Sequence, residues 1–494
     1  MSIAGDYSSY DALGLAELIR KGDASASELV ECAIARAEEV NPQINAIVQP
    51  LYARARDRAK QELNGPFAGV PFLLKDLIQT IAGVETGSGT DFYNGYVPKE
   101  DSELFRRYEE AGLNTLGKTN VPEFGLLPVT EPKCGKPTRN PWDVSRTCGG
   151  SSGGAASAVA AGIVPMAHGG DGGGSIRIPA ACAGLFGLKP TRGRTPVGPY
   201  SEHWCGFAIE HVLTRSVRDS AAALDAVDGV EAHVPYHPPM KHGLYLDAVS
   251  EDPGPLRIAF STEPSMPSDV HPDCEAAVHD AVKLLEDLGH RVDEVRPEFD
   301  ARQLARWFVI IVGANTAASL REAEALMGKK ITHQDFETTT MLSAMMGDAF
   351  KASEVMEAIR GLQGETRRYT ERMERYDVVL SPTLGQPPLR IGELEPPLLE
   401  RKAQEMIVRT GASRLLRSDA LMEQTIDRVF QFTAFTPHAN FTGQPSMNVP
   451  LFWNQAGLPV GTQFSARFGD EATLFRLAGQ LERARPWFDR RPKL

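Results

Sequence analysis

Traced as a pattern of apolar and polar positions, the chain opens with helices. Ser25 and Glu28 have capping-box spacing, and Leu29, Val30, Ala33, Ile34 and Ala37 follow at helical intervals, with Pro42 near the exit. The run Ala46-Ile47-Val48 reads as a short strand. Ala68 to Leu74 is apolar enough for a strand buried on both faces, which delivers Lys75 at its end. Ser102 to Ala111 reads as a helix closed by Gly112 at C′, and Leu113 to Gly117 suits a buried strand. Leu256 to Phe260 and Asp377 to Pro382 are further buried-strand candidates, whereas His271 to Leu288 and Leu304 to Leu326 repeat with helical period.

Helices alternating with strands that are apolar on both faces predict an α/β fold, a central sheet covered by helices on either side. The pattern shows no internal repeat and no low-complexity segment. Pro-rich stretches at Val234 to Met240 and Pro387 to Pro397 read as surface loops, not domain boundaries. Length alone, 494 residues, favours two or three domains, but without a linker the expectation is one domain over 1–494. Within it, 1–60 is a helical lead-in, 65–220 carries the chemistry described below, and 298–430 holds inserted helical segments.

Composition narrows the partners. A formal net charge of -12, spread along the chain, argues against nucleic acid or an anionic membrane as the main partner. No run of 18 apolar residues is present and Met1 to Asp6 lacks the character of a secretory signal, so a cytoplasmic protein is expected. Cys32, Cys134, Cys148, Cys182, Cys205 and Cys274 form no C-x-x-C pair and read as free thiols in a reducing compartment. Asn440-Phe441-Thr442 fits a glycosylation sequon that such a location leaves without consequence.

Two glycine-rich stretches change the picture. Gly149-Gly150-Ser151-Ser152-Gly153-Gly154 is followed by Asp171-Gly172-Gly173-Gly174-Ser175-Ile176-Arg177, which sets Ser151 and Ser175 24 residues apart. Glycine clusters alone mark turns. Flanking serines, Gly172, Gly173, Gly174 and Ser175 can also turn backbone N–H groups toward the oxyanion that forms when Ser175 attacks a carbonyl. A serine hydroxyl needs a base to become a nucleophile. Lys75 serves if burial leaves it neutral, and the apolar run before it supplies that burial; the alternative is an ion pair with Asp76. His168, the one histidine near the loop, reads as a hydrogen-bonded structural residue.

In this order and spacing, Lys75, Ser151 and Ser175 resemble the amidase signature family of serine hydrolases. Gly117-Lys118-Thr119-Asn120, Pro122-Glu123-Phe124, Gly187 to Thr191, Arg215 to Asp219, Gly443-Gln444-Pro445 and Gly457 to Gly461 look like further family landmarks, so the resemblance runs from about residue 10 to the end. It implies a large mixed sheet, with Lys75 as ultimate base, Ser151 as a bridging serine in a cis peptide with Gly150, and Ser175 as nucleophile. Ser152 then assists by hydrogen bonding, and Asp171 and Arg177 pin the loop. The implied chemistry is acyl transfer from a small-molecule amide, with no metal or organic cofactor, by a monomer or homodimer. The layout is similar to bacterial amidases of the nylon-oligomer type, a subgroup whose neighbours also cleave anilides and carbamates. The least family-like segments, about 298–350 and 384–430, are where the family builds much of its pocket. Leu126 and Leu127 read either as apolar pocket wall or as ordinary core.

Two rivals stand beside this reading, the first from a different class. Gly112 to Thr119 satisfies the P-loop pattern G-x-x-x-x-G-K-T, but a helix precedes it, an apolar strand fills the supposed loop, and Pro122 disfavours a following helix. The A subunit of a tRNA-dependent glutamine amidotransferase carries the same lysine and serines and hydrolyses glutamine.

Overall fold

A computed structural model describes residues 5–229, 231, 234, 237–412 and 419–494. Its strands are β1 (Ile47–Pro50), β2 (Pro71–Lys75), β3 (Asn114–Thr119), β4 (Arg139–Asn140), β5 (Asp143–Thr147), β6 (Met166–Asp171), β7 (Phe186–Lys189), β8 (Ile209–Thr214), β9 (Arg257–Phe260), β10 (Arg291–Glu294), β11 (Val378–Pro382), β12 (Ser446–Trp453) and β13 (Pro459–Ala466). Eleven of them form one sheet in the order β1-β3-β2-β6-β8-β7-β12-β13-β11-β9-β10, and β4 and β5 form a separate ribbon. The sheet is mixed. β2 runs parallel to β3 and β6, β9 runs parallel to β10 and β11, and the remaining pairs are antiparallel.

Helices cover this sheet, and every residue of β2, β3, β6 and β8 is buried, the polar Asn114, Lys118, His168 and Glu210 among them. Helix Ala26–Ile44 starts on the Ser25–Glu28 capping box and keeps Pro42 in its last turn. Helix Glu103–Glu110 is followed by Gly112 at φ +92°, the left-handed backbone that a C′ glycine supplies. The strand expected from Ala68 begins only at Pro71, because Gly69 takes φ +83° and the Val70 N–H bonds Phe67 in a turn. The strand expected over Leu113–Gly117 instead runs on to Thr119, which buries Lys118 inside the sheet.

A second apolar cluster sits under helix Ala301–Met327, with Leu304, Phe308 and Ile311 against Met422, Ile426 and Phe430. This helix lies over the mouth of the cavity described next. The stretch Pro387 to Pro397 is a loop, as expected, although Pro388 and Leu389 are buried rather than on the surface. The other Pro-rich loop, Val234 to Met240, falls partly outside the described residues. Among the described residues, no helix is long and apolar enough to cross a membrane.

Candidate active site

β2 and β6 are parallel neighbours, so their carboxyl ends open on the same side, where α/β sheets hold their ligands. Lys75 ends β2 and Asp171 ends β6. Ser151 reaches the same place from the loop before helix Gly153–Ala160, and Ser175 from the loop before helix Arg177–Ala183. Lys75, Ser151 and Ser175 line one cavity of about 320 Å³.

Lys75 is 1 % exposed; its Nζ donates to Ser151 Oγ at 2.8 Å and to the Gly170 carbonyl at 3.2 Å. Burial lowers its pKa to about 8, against the opposing pull of the Glu210 and Asp171 carboxylates. The ion pair that would have occupied Lys75 does not form, because Asp76 pairs with Lys118 at 2.7 Å. That pair and the Lys118 Nζ bond to Thr86 Oγ1 also hold the P-loop-like lysine inside β3, away from any ligand.

The Gly150–Ser151 peptide is cis. Gly150 is required there: a Cβ would stand 2.7 Å from the Val129 backbone N. Ser152 joins the two serine loops. Its N–H bonds the Ser175 carbonyl at 3.3 Å, and its hydroxyl accepts from the Gly170 N–H at 3.2 Å. Ser151 is 2 % exposed whereas Ser175 is half-buried, so of these two cavity-lining serines Ser175 is the more open to a ligand. The two hydroxyls are not hydrogen-bonded to each other.

Asp171 and Arg177 brace the second loop. Arg177, wholly buried, grips both Asp171 oxygens at 2.9 and 3.0 Å and extends to Gln463 Oε1 and Asn440 Oδ1. Burial pushes the Asp171 carboxyl up, but the Arg177 charge and hydrogen bonds outweigh it and hold the group at about 2. Asp171 Oδ1 also accepts the Gly174 N–H at 2.7 Å. Gly174, expected among the oxyanion donors, is therefore spoken for. Its contribution is backbone shape, with φ +128° and no room for a Cβ against Thr436. Among the described residues, the N–H groups of Gly172, Gly173 and Ser175 have no partner, and Thr436 Oγ1 ties down the Gly173 carbonyl at 2.7 Å.

His168 is built into the wall behind the lysine. Its Nδ1 accepts the Lys75 backbone N–H at 3.3 Å, which leaves the neutral ring's proton on Nε2. Nε2 lies 2.9 Å from Glu210 Oε2, close but not aligned for a hydrogen bond. Glu210 was missed in the sequence, although a carboxylate inside the apolar strand Ile209–Thr214 is itself a signal. Asn440, Gln463 and Thr436 were missed as well. Asn440 is 1 % exposed, and its Nδ2 donates to the Asp171 carbonyl at 2.8 Å, so the sequon asparagine is a loop brace.

The cavity has an apolar wall of Leu77, Ile78, Phe124, Leu126, Trp204 and Ala208. Leu127 does not share it; this residue packs against the cluster of Val129, Ile178, Leu384 and Phe432. Tyr93, Tyr96 and Tyr200 line the cavity together with Thr316, Ser319, Glu322 and Leu326 from helix Ala301–Met327. Of the two variable segments, the first thus supplies lining residues, while no described residue of 384–430 does. No group of three or more His, Cys, Asp or Glu among the described residues is placed to hold a metal ion.

A family model described as Amidase matches residues 28–475. The 6-aminohexanoate-cyclic-dimer hydrolase of Paenarthrobacter ureafaciens is 37% identical over 496 residues, covering 98% of this chain and 96% of that protein. The solved structure of 6-aminohexanoate cyclic dimer hydrolase complexed with substrate superposes with TM-score 0.88 at 35% identity, over 98% of both chains. A bacterial aryl acylamidase of the amidase signature enzymes superposes with TM-score 0.84 at 27% identity, over 97% of this chain and 96% of that one.

Proposed function

The chain belongs to the amidase signature family, hydrolases of amide C–N bonds, and we propose that it cleaves a small, largely apolar linear or cyclic amide, anilide or carbamate through an acyl-enzyme on Ser175. Neutral Lys75 takes the Ser151 proton while Ser151 takes that of Ser175, and Ser175 Oγ bonds the carbonyl carbon. The N–H groups of Gly172, Gly173 and Ser175 receive the oxyanion. As the tetrahedral intermediate collapses, the C–N bond breaks and the relay returns its proton to the leaving nitrogen. Water then attacks the ester, the relay accepts its proton, and Ser175 regains a hydrogen as the C–O bond breaks. Ser152 and the Asp171–Arg177 pair hold the two loops in register.

One observation carries this reading: Lys75 Nζ stands 2.8 Å from Ser151 Oγ where both residues are 2 % exposed or less. There burial brings the lysine to a pKa of about 8, a base in reach of neutral pH. The apolar wall supports a largely apolar substrate over the amide of glutamine. We read residues 1–494 as one unit acting as a monomer or homodimer, without nucleic acid or membrane. Six unpaired cysteines suit a cytoplasmic setting.

The test is mass-spectrometric product release from linear amides, cyclic oligoamides, anilides, aryl carbamates and glutamine, with Ser175→Ala as blank. Cleavage of non-glutamine amides, lost in the blank, is expected. Cleavage that survives Ser175→Ala, or that is confined to glutamine, overturns the reading.

A further inference from the structure

Three carboxylates among the described residues line the catalytic cavity. Asp171 is gripped by Arg177, and Glu210 is buried with its Oε2 2.9 Å from the His168 ring but not hydrogen-bonded to it. The third, Glu322, has no ion pair or side-chain hydrogen bond among the described residues. Its surroundings are aromatic. Tyr93 and Tyr96 lie 6.1 Å apart between ring centroids, and Tyr200 lies 6.3 Å from His203, all lining the same cavity. The Glu322 charge is felt there: after burial it is the next cause raising the Tyr93 phenol, and it opposes the lowering of His203.

Position along the helix says how deep this end lies. Thr316, Ser319, Glu322 and Leu326 form a stripe on one face of Ala301–Met327. Thr316 is 3 % exposed and Leu326 52 %, so the stripe climbs from the buried interior to the mouth. Six residues separate Thr316 from Glu322, about 9 Å of helix axis. An unmatched carboxylate among electron-rich rings, in a concave wall, is suited to a cation that brings its own charge and can leave again. Lys75, at the catalytic end, is not that cation: its Nζ is already bonded to Ser151 and Gly170.

We propose that Glu322, with the rings of Tyr93, Tyr96 and Tyr200, forms a subsite for a protonated amine, which makes Glu322 a specificity-determining residue for amides that carry an ammonium at the end of the chain remote from the scissile carbonyl. The proposal rests on Ser175 as the nucleophile at the other end. It assigns linear ω-aminoacyl amides as favoured substrates over equally long amides that end in a methyl group.

Matched 4-nitroanilides test it. The kcat/KM ratio of the 6-aminohexanoyl to the hexanoyl compound is measured at pH 8 in the wild type, Glu322→Gln and Glu324→Gln. The wild-type ratio is expected to exceed the hydrophobic baseline by about tenfold, the worth of one screened ion pair with a cation–π contact. Glu322→Gln brings the ratio down by that factor; Glu324→Gln, on the same helix but outside the cavity, keeps it. A ratio unchanged by Glu322→Gln overturns the subsite while leaving the nucleophile standing. Turnover that survives Ser175→Ala overturns the nucleophile instead. Should neither anilide be cleaved, calorimetric titration of hexylammonium against hexanol decides: binding of the amine to Ser175→Ala that is lost in the Ser175→Ala, Glu322→Gln double variant supports the subsite, and equal binding to both sinks it.

Discussion

If Lys75 is the base, its protonation state should write itself into the pH profile. Burial brings the lysine from 10.5 to about 8. One unit below that value about one molecule in eleven has the neutral amine, and one unit above it about ten in eleven do. Between pH 7 and pH 9, kcat/KM is therefore expected to rise about tenfold, with unit slope at lower pH and a plateau beyond about 9. The perturbation is pH itself. The assay is chromophore release from a slow 4-nitroanilide, chosen so that kcat/KM reports the free enzyme rather than product release. Lys75→Ala removes the base and should lower kcat/KM by about 10²–10⁴, leaving only a shallow pH dependence. A flat wild-type profile from pH 6 to 9 refutes the reasoning. So does an inflection below pH 6.5, which would move the base role to a histidine; His203 lines the cavity, and burial lowers its pKa below the ordinary value of 6.5.

Three further outcomes follow from the same geometry. Ser151→Ala breaks the only side-chain hydrogen bond of Lys75 Nζ among the described residues and should cost about 10²–10⁴ in kcat with little change in KM, whereas Ser152→Ala, which loses two hydroxyl bonds to the Gly170 backbone and keeps its N–H bond to Ser175, should cost far less; steady-state kinetics on both variants is the check. Gly174→Ala forces a side chain into φ +128° against Thr436 and should lower kcat/KM by at least about 10², read beside a melting curve that separates loop distortion from global unfolding. Lys75→Met should stabilise the inactive protein near pH 7. A shift from 10.5 to about 8 is about 3 kcal/mol of buried-charge penalty, less about 1–2 kcal/mol for two lost hydrogen bonds. That penalty is whole below pH 8, where both states hold the proton. It fades from 8 to 10.5, where only the unfolded chain does, so urea unfolding at pH 7 and pH 10 should show the gain shrinking as pH rises.

Local signals in the sequence carried well into the structure wherever the chemistry was itself local. The Ser25–Glu28 box, the left-handed Gly112 and the doubly apolar strands each depend on a few neighbouring residues, and each could be located from them. Lys75 and the two serines could be located for the same reason, because strand, loop and helix deliver them in sequence order. What stayed hidden depends on chain order in the sheet. β12 pairs β7 and carries β13 on its other side, so Asn440, in helix Pro437–Thr442 before β12, and Gln463 on β13 meet Arg177 across gaps of 263 and 286 residues, and no periodicity announces such a meeting. The lining face of Ala301–Met327 was hidden differently. Thr316, Ser319 and Glu322 have the spacing of a solvated helix face, and a concave wall and a convex surface leave the same polar stripe in sequence.

The partners of Asp171 and Glu210 bear on whether a lysine can act as base here. Asp171 and Glu210 both favour the charged form of Lys75, and bare carboxylates that near would hold the proton on it through neutral pH. Asp171 is instead consumed by the Arg177 side chain, the backbone N–H groups of Gly174, Ile176 and Arg177, and Asn440. Glu210 faces the His168 ring, whose other nitrogen is fixed by the backbone of Lys75 itself. Arg177 matches the Asp171 charge locally, so that carboxylate pulls less on Lys75, and burial remains the largest influence on the lysine. The same Asp171 also takes the Gly174 N–H, whereas the N–H groups of Gly172, Gly173 and Ser175 have no partner among the described residues. If Lys75 is the base and these N–H groups hold the oxyanion, the buried Asp171–Arg177 pair bears on both, so a substitution at Arg177 should disturb both together and not as separable effects.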